Sequence, residues 1–187
     1  MIGFAFCGSF CTHKKALAKL EALCLRYPVQ AIFSETVFST DTRFGKAEDL
    51  LEKVEKLTGR PVIHHIVDAE PLGPEKPLEA LVICPCTGNT LAKMANGITD
   101  SAVTMAAKAH LRSDRPLVIA LASNDALSAN LTNIGILLAR KEVFFVPMRQ
   151  DDPIKKPHSL VADFDKLLPT LESALNGRQY QKLFIES

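Results

Sequence analysis

Two short polar turns, each directly behind an apolar run, hold the residues best suited to grip a ligand. Cys86, Thr87, Gly88, Asn89 and Thr90 follow the run Ala80–Cys84 and a proline, Pro85. The two hydroxyls and the carboxamide bring both donors and acceptors, and Gly88 lets backbone come close to a bound molecule. Leu91, Met94, Ala95 and Ile98 then recur at helical spacing. A strand, a tight polar turn and a helix N-terminus form a seat for an anion or a cofactor. The same residues also suit a plain turn in which Thr87 or Asn89 caps the helix. The second turn, Gly8-Ser9, follows Ile2–Cys7 and leads into a helix beginning at Thr12 or His13. Its small residues beside unpaired helix amides suit a phosphate. Gly3 and Gly8 do not make the Gly-x-Gly-x-x-Gly dinucleotide pattern.

Other candidates are more scattered. Ser34 and Thr36 open a hydroxyl-rich stretch, residues 34–42, after the run Val29–Phe33; such residues serve either a phosphate or ordinary caps and turns. Ser123 and Asn124 follow the run Leu117–Leu121. His65 stands beside His64, and neighbours on a strand point to opposite faces, which would leave one packed and one solvated. Of the five cysteines, Cys7 and Cys84 end strands and Cys11 and Cys86 lie just beyond. The spacings Cys-x-x-x-Cys and Cys-Pro-Cys are not those of a zinc knuckle. Cys7 and Cys84 read as small buried hydrophobes, and no metal site is assigned.

The elements that must position these residues follow from pattern. Strands are expected at 2–7, 29–33, 62–67, 80–84, 117–121 and 143–146. Helices are expected near 13–26, 44–57, 88–97, 101–112, 126–140 and 159–175, with an irregular loop at 68–77 and a loose C-terminal tail. Alternating strands and helices predict a three-layer αβα domain: a doubly wound parallel sheet of about six strands in one domain, 1–187. Ligands of such sheets sit outside the carboxyl ends of the strands, where all the polar turns above converge. The length of 187 residues and an apolar fraction of 47% suit one core. A net charge of +1 gives no field to recruit nucleic acid or an anionic membrane, and no apolar run is long enough to span a bilayer. The odd cysteine count, five, predicts a reduced, cytoplasmic setting.

Pro85 to Thr90, with the continuation Leu-Ala-Lys-Met-Ala-Asn-Gly-Ile-Thr-Asp, resembles the Pro-Ala-Ser-Ala-Asn-Thr signature of the flavoprotein family. That family includes flavin-dependent cysteine decarboxylases and prenyl-flavin synthases. The resemblance covers nearly the whole chain and implies a Rossmann-like fold and FMN as cofactor. It assigns Gly8-Ser9 to the flavin phosphate and ribityl chain, and sets Asn89 against flavin or substrate. His65-Ile66 matches a catalytic His-Ile of the decarboxylases, although the proline-rich 68–77 insertion alters its spacing to the signature. Leu121-Ala122-Ser123-Asn124 keeps only Ala122 and Asn124 of the family's Pro-Ala-Met-Asn, which speaks against cysteine-type decarboxylation; Asn124 is left to bind flavin or a carboxylate, or to cap a helix.

Segments 98–112 and 150–160 resemble one branch of the family. That likeness implies an oxidoreductase taking part in the conversion of dihydrodipicolinate to dipicolinate during sporulation. It implies a second subunit carrying NAD(P) and a location in the mother-cell cytoplasm. The alternatives are a decarboxylase or prenyl-flavin synthase, and a non-catalytic supporting subunit. The family also implies a homo-oligomer, a trimer or a multiple of one, with flavin between subunits; the small apolar run Ala102–Ala109 offers a surface for a second copy.

Overall fold

The computed structural model describes residues 1–186. Five parallel strands form the sheet's centre: β1 (Ile2–Phe6), β2 (Val29–Phe33), β3 (Ala80–Cys86), β4 (Leu117–Ser123) and β5 (Val143–Phe145), in the order β2-β1-β3-β4-β5. The chain steps from β1 outward to β2, then returns to the far side of β1 and continues outward through β3, β4 and β5. The reversal between β1 and β3 opens a crevice at their carboxyl ends.

Side chains alternate between the two faces, as strand geometry requires, and both faces are covered. Phe4, Phe6, Phe33, Val82 and Val118 pack on one side with α1 (His13–Cys24), α3 (Ala47–Thr58) and α8 (Leu167–Leu175). Ala5, Ile32, Leu81, Ile83 and Ile119 pack on the other with α5 (Gly88–Ala95), α6 (Ala102–Leu111) and α7 (Leu131–Leu138). Burial on both faces explains why every residue of β1 and β3 is buried and why these strands read as continuous apolar runs. The three-layer αβα architecture is therefore the one the sequence predicts.

Several details depart from that reading. Residues 62–67 make no strand: Ile63 forms only an isolated bridge to Ile32, and the chain turns at once into the short helix α4 (Ile66–Ala69). Pro61 offers no N–H to a ladder, and Ile66 and Val67 face solvent. Ser34 starts another short helix, α2 (Glu35–Ser39). Pro85 does not end β3. The strand runs through it to Cys86 with a register shift, Ile83 opposite Ile119 and Cys86 opposite Leu121. A bulge is one of the few places where a sheet accepts proline.

The helix expected over 126–140 begins only at Leu131, whose side chain is exposed. The helix expected from residue 159 begins at Leu167. Ahead of it Leu160–Ala162 form β7, paired antiparallel with β6 (Met148–Arg149) and with the last two residues of β4. The sheet is thus mixed and seven-stranded. The tail is docked: Met148 donates its amide to Leu183 and accepts from Ile185. Within Ala102–Ala109, the side chains of Ala102, Val103, Ala106, Ala107 and Ala109 are buried inside the chain itself, so this run is no free surface for a second copy.

Two glycines test this packing in opposite directions. A β-carbon on Gly73 would lie 2.5 Å from the carbonyl oxygen of Ala109 in α6, a backbone atom that has no freedom to swing aside. Gly73→Ala is expected to cost about 1–3 kcal/mol of stability through overpacking. Gly135, inside α7, has nothing near its β-carbon position, and Gly135→Ala is expected to add about 0.5–1 kcal/mol by removing a flexible residue from a helix. Urea denaturation of both variants measures the two shifts, and equal shifts would contradict the packing described.

Candidate active site at the carboxyl edge

The turn after β1 is held against two neighbours. Ser9 donates its hydroxyl to the carbonyl of Ala122 in β4, at 2.9 Å, and Cys7 donates its amide to Pro85 in β3, at 3.2 Å. These bonds draw the carboxyl ends of β1, β3 and β4 together. His13, buried at the start of α1, lies beneath the turn with its Nε2 2.8 Å from the Cys7 carbonyl and its ring edge-on to Phe6. A carbonyl only accepts, so Nε2 carries the proton. Burial lowers the His13 pKa, and the neutral ring serves as a fixed donor rather than a cation. The sequence places His13 only as a helix start; its burial is a tertiary property and left no pattern to read.

Gly8 faces Thr36: a β-carbon on Gly8 would sit 3.8 Å from the Thr36 methyl. The turns after β1 and β2 thus meet. Ser34 is the N-cap of α2, its hydroxyl oxygen accepting the Val37 amide at 3.4 Å, while Thr36 is exposed and makes no side-chain hydrogen bond among the described residues. A hydroxyl that caps still has a proton to donate, so both remain compatible with a phosphate.

The turn after β3 separates two roles that the sequence leaves joined. Thr87 is the cap: its hydroxyl oxygen accepts the Thr90 amide at 3.2 Å, and its proton goes to the Thr90 hydroxyl at 3.0 Å. Asn89 is not a cap. It lies in the first turn of α5, exposed, with no side-chain hydrogen bond among the described residues. Its carboxamide is free to meet a ligand beside the unpaired amides of the helix start.

Gly88 is buried, and its close contact is with the protein itself. A β-carbon there would collide with Ser123 Oγ and lie 2.6 Å from Asn130 Nδ2 and 2.8 Å from Asp125 Oδ1. These three side chains form a network around Asp125, whose carboxylate accepts from the Ser123 hydroxyl and from Asn130 at 2.9 Å. Asn133 donates to Asn130 and Asn96 to Asn133, extending the line between α7 and α5. Asp125 is the residue here that sequence reading passed over; its signal is the Asp-x-x-x-x-Asn spacing at the mouth of a helix. Asn124, next to it, is exposed and free of side-chain bonds among the described residues.

The three thiols buried at the strand ends are held in the neutral form. Cys7, Cys84 and Cys86 are buried and unpaired. Desolvation pushes Cys7 up to about 11 and holds Cys84 and Cys86 well above the ordinary thiol range. His65 stands apart from the Thr87–Asn89 turn, at the start of α4. It is exposed, its ring 4.0 Å from His64, which stacks face to face on Phe38 of α2 at 3.6 Å. His65 therefore shares the β2 side of the edge with Ser34 and Thr36.

The edge thus gathers a glycine-serine turn, two helix starts and three exposed polar side chains, Thr36, Asn89 and Asn124, on an open shelf. A cavity of about 570 Å³ lies behind it, between α1 and α3, lined by Phe10, His13 and Leu50 among others. It does not reach Thr87 or Asn89. The arrangement suits a ligand that carries an anion and a polar ring system, with one face left uncovered.

Comparison with known proteins shows the family and the fold. The Flavoprotein family profile matches residues 2–167. The chain is 46% identical to the B subunit of dipicolinate synthase from Bacillus subtilis strain 168, over all of this chain and 94% of that one. The crystal structure of the B subunit of dipicolinate synthase from Bacillus halodurans C superposes with a TM-score of 0.91 at 44% identity, covering 100% of this chain and 96% of the other. The FMN-dependent cysteine decarboxylase SpaF shares the fold, with a TM-score of 0.66 at 23% identity over 94% of each chain.

Asp125 gives the site a pH signature. Its bonds from Ser123 and Asn130 lower its pKa in the folded chain, whereas the unfolded chain titrates at the ordinary value of about 3.9. The anion therefore stabilises the fold above that value, and the contribution disappears as pH falls through the lower, folded value. Asp125→Asn is expected to cost about 1 kcal/mol at neutral pH, allowing for solvent screening. The gap to the wild type is expected to narrow in acid. Melting temperatures of both proteins across that pH range check it; a gap independent of pH would show that the carboxylate is not charged in this network.

Proposed function

The chain belongs to the flavoprotein family, and on that premise we propose that it is the FMN-binding subunit of a dipicolinate synthase. Its reaction is the oxidation of dihydrodipicolinate to dipicolinate. A second protein, the A subunit of dipicolinate synthase, works beside it and carries NAD(P). The work is done in the mother-cell cytoplasm during sporulation. The full-length likeness to the B subunit of the Bacillus subtilis enzyme supports this reading, and so does the lack of any helix, among the described residues, long and apolar enough to cross a membrane. The observation that carries the cofactor is Asn89: at a helix start, exposed, and relieved of capping by Thr87.

The residues present fit FMN. The Gly8-Ser9 turn, with Ser34 and Thr36 beside it, would hold the phosphate. The Cys86–Thr90 turn would hold the ring through Asn89 and the α5 amides. Bound flavin supplies an acceptor for the two electrons and the proton that leave the dihydropyridine as a hydride. The chain's part is to orient. Neutral thiols and the neutral His13 add no charge that would compete with the phosphate. Ser123 and Asn124 flank the other side, where Asn124 has donors for a substrate carboxylate. His65, on the β2 side of the edge, is the candidate proton carrier. The openness of the shelf supports a homo-oligomer, a trimer or multiple, whose next copy would cover the flavin.

The decarboxylase reading is weaker because Leu121 and Ser123 stand where those relatives have proline and methionine. Asn89→Asp separates the remaining possibilities. It removes two donors and adds a negative charge beside the proposed ring, but leaves the Thr87 cap intact. Thr36→Glu removes one donor and adds a negative charge beside the proposed phosphate. Both exposed-site variants are expected to melt within a few degrees of the wild type when free of flavin. Both are expected to retain less than about a tenth of its FMN, in line with the loss of a charge-assisted contact. Visible absorbance of the purified proteins reads this directly, and dipicolinate formation with the partner protein present reads the activity. Full flavin content in both variants would remove FMN from this edge. Flavin binding without dipicolinate formation in the wild-type pair would leave the cofactor and overturn the reaction.

A further inference from the structure

In the helix layer, where the ends of α5 and α7 meet α6, lies a cavity of about 410 Å³. Met94, Ile98 and Leu111 line its apolar part, and Ile98 is half exposed to it and to solvent. Lys108, Arg112 and Arg140 stand around it, contributed by two separate helices and the turns that follow them. None of its lining residues is acidic. None of the three cations makes a salt bridge among the described residues. Two carboxylates adjacent in sequence are paired with other cations, Asp100 with Lys93 at 2.8 Å and Asp114 with Lys141 at 3.8 Å.

Cations near helix C-termini are common, because they complement the helix dipole. That preference explains one basic residue at one helix end. It does not explain why three, from two helices, surround a single apolar recess that holds no carboxylate. Left empty, the arrangement leaves three cations without a carboxylate partner and an apolar recess open to water. A ligand with negative charge outside and an apolar body inside resolves both conflicts. The volume is that of a small-molecule pocket rather than a protein groove, and two guanidinium groups favour planar, bidentate partners.

We propose that this cavity is a second ligand site, separate from the carboxyl-edge shelf, for a small organic dianion: a dicarboxylate or a phosphate ester on an apolar ring or chain. The proposal stands independently of flavin binding, since no residue of the cavity belongs to the shelf.

The test is a titration of isotopically labelled full-length protein, followed by amide NMR shifts. The probes are pyridine-2,6-dicarboxylate, phenyl phosphate, inorganic phosphate and neutral benzyl alcohol. Saturable shifts centred on residues 97–99 and 108–112, for one of the first two probes and not the neutral one, are the expected result. The stronger of the two tells a carboxylate from a phosphate ester. The double variant Arg112→Gln with Arg140→Gln replaces exposed side chains and should keep its melting temperature, while binding about tenfold more weakly or worse; Lys141→Gln, a nearby exposed cation, should change nothing. Inorganic phosphate binding as well as phenyl phosphate would overturn the apolar requirement. Unsaturable shifts, or equal weakening by Lys141→Gln, would reduce the cluster to general surface charge. Shifts absent for every probe, with Arg112→Glu altering the assembly mass, would mean that another copy covers the cavity, and the proposal would fall.

Discussion

A β-carbon on residue 88 would push aside the side-chain ends of Ser123, Asp125 and Asn130, and the packing of the carboxyl edge is built on that close contact. The loop after β4 presses Ser123, Asp125 and Asn130 into the space a side chain would take. This contact fixes the start of α5 relative to the end of β4. The Ser9 hydroxyl, bonded to Ala122, fixes the turn after β1 to the same strand end. β4 is thus the common support for two turns that come from different parts of the chain. What remains outside these contacts is the outer rim of each turn, and Asn89 and Asn124 stand on it. The glycine that reads as a concession to a ligand serves the protein's own packing, and it thereby frees its neighbour to face outward.

The electrostatics of the edge are quiet by construction. Three buried thiols are kept protonated by desolvation, and burial favours the neutral form of His13. The one nearby carboxylate at the β4 loop, Asp125, has its charge met by a hydroxyl and a carboxamide. The helix starts add a field that favours negative charge, and Glu35, exposed in the first turn of α2, opposes it on the β2 side. Cysteine at these positions gives small, polarizable packing without a charge; serine in the same apolar surroundings would need a hydrogen bond at each site.

What was legible in the sequence was what local pattern encodes. The apolar runs at 2–7, 29–33, 80–84 and 117–121 gave β1 to β4 because strands buried on both faces must be apolar throughout. The turns behind them gave the polar edge because parallel strands put all their carboxyl ends on one side. Residues 62–67 misled because Val62, Ile63, Ile66 and Val67 make a convincing run, yet only Ile63 reaches a partner strand. Leu160–Ala162 were hidden because three residues carry no period, and their pairing with β4 is long-range. Pro85 looked like a stop because the bulge that accommodates it is a property of the pair β3–β4 and not of either segment. Asn89 and Thr87 could not be told apart as caps without the hydrogen bonds themselves.

β4 has two different neighbours on one side. Its first residues pair parallel with β5, and its last two pair antiparallel with β7. This division has a consequence for the order of assembly during synthesis. The turns after β1 and β3 are translated early, but the antiparallel pairing of Ala122 and Ser123 forms only when residues 160–162 have left the ribosome. Until then that strand end is an open edge, a template for pairing with another chain. Such long-range closures form late, because distant segments must first be brought together at an entropic cost. The segment carrying β7 therefore acts as a latch on turns made before it, and a nascent chain released short of β7 would expose the open end of β4 to its neighbours.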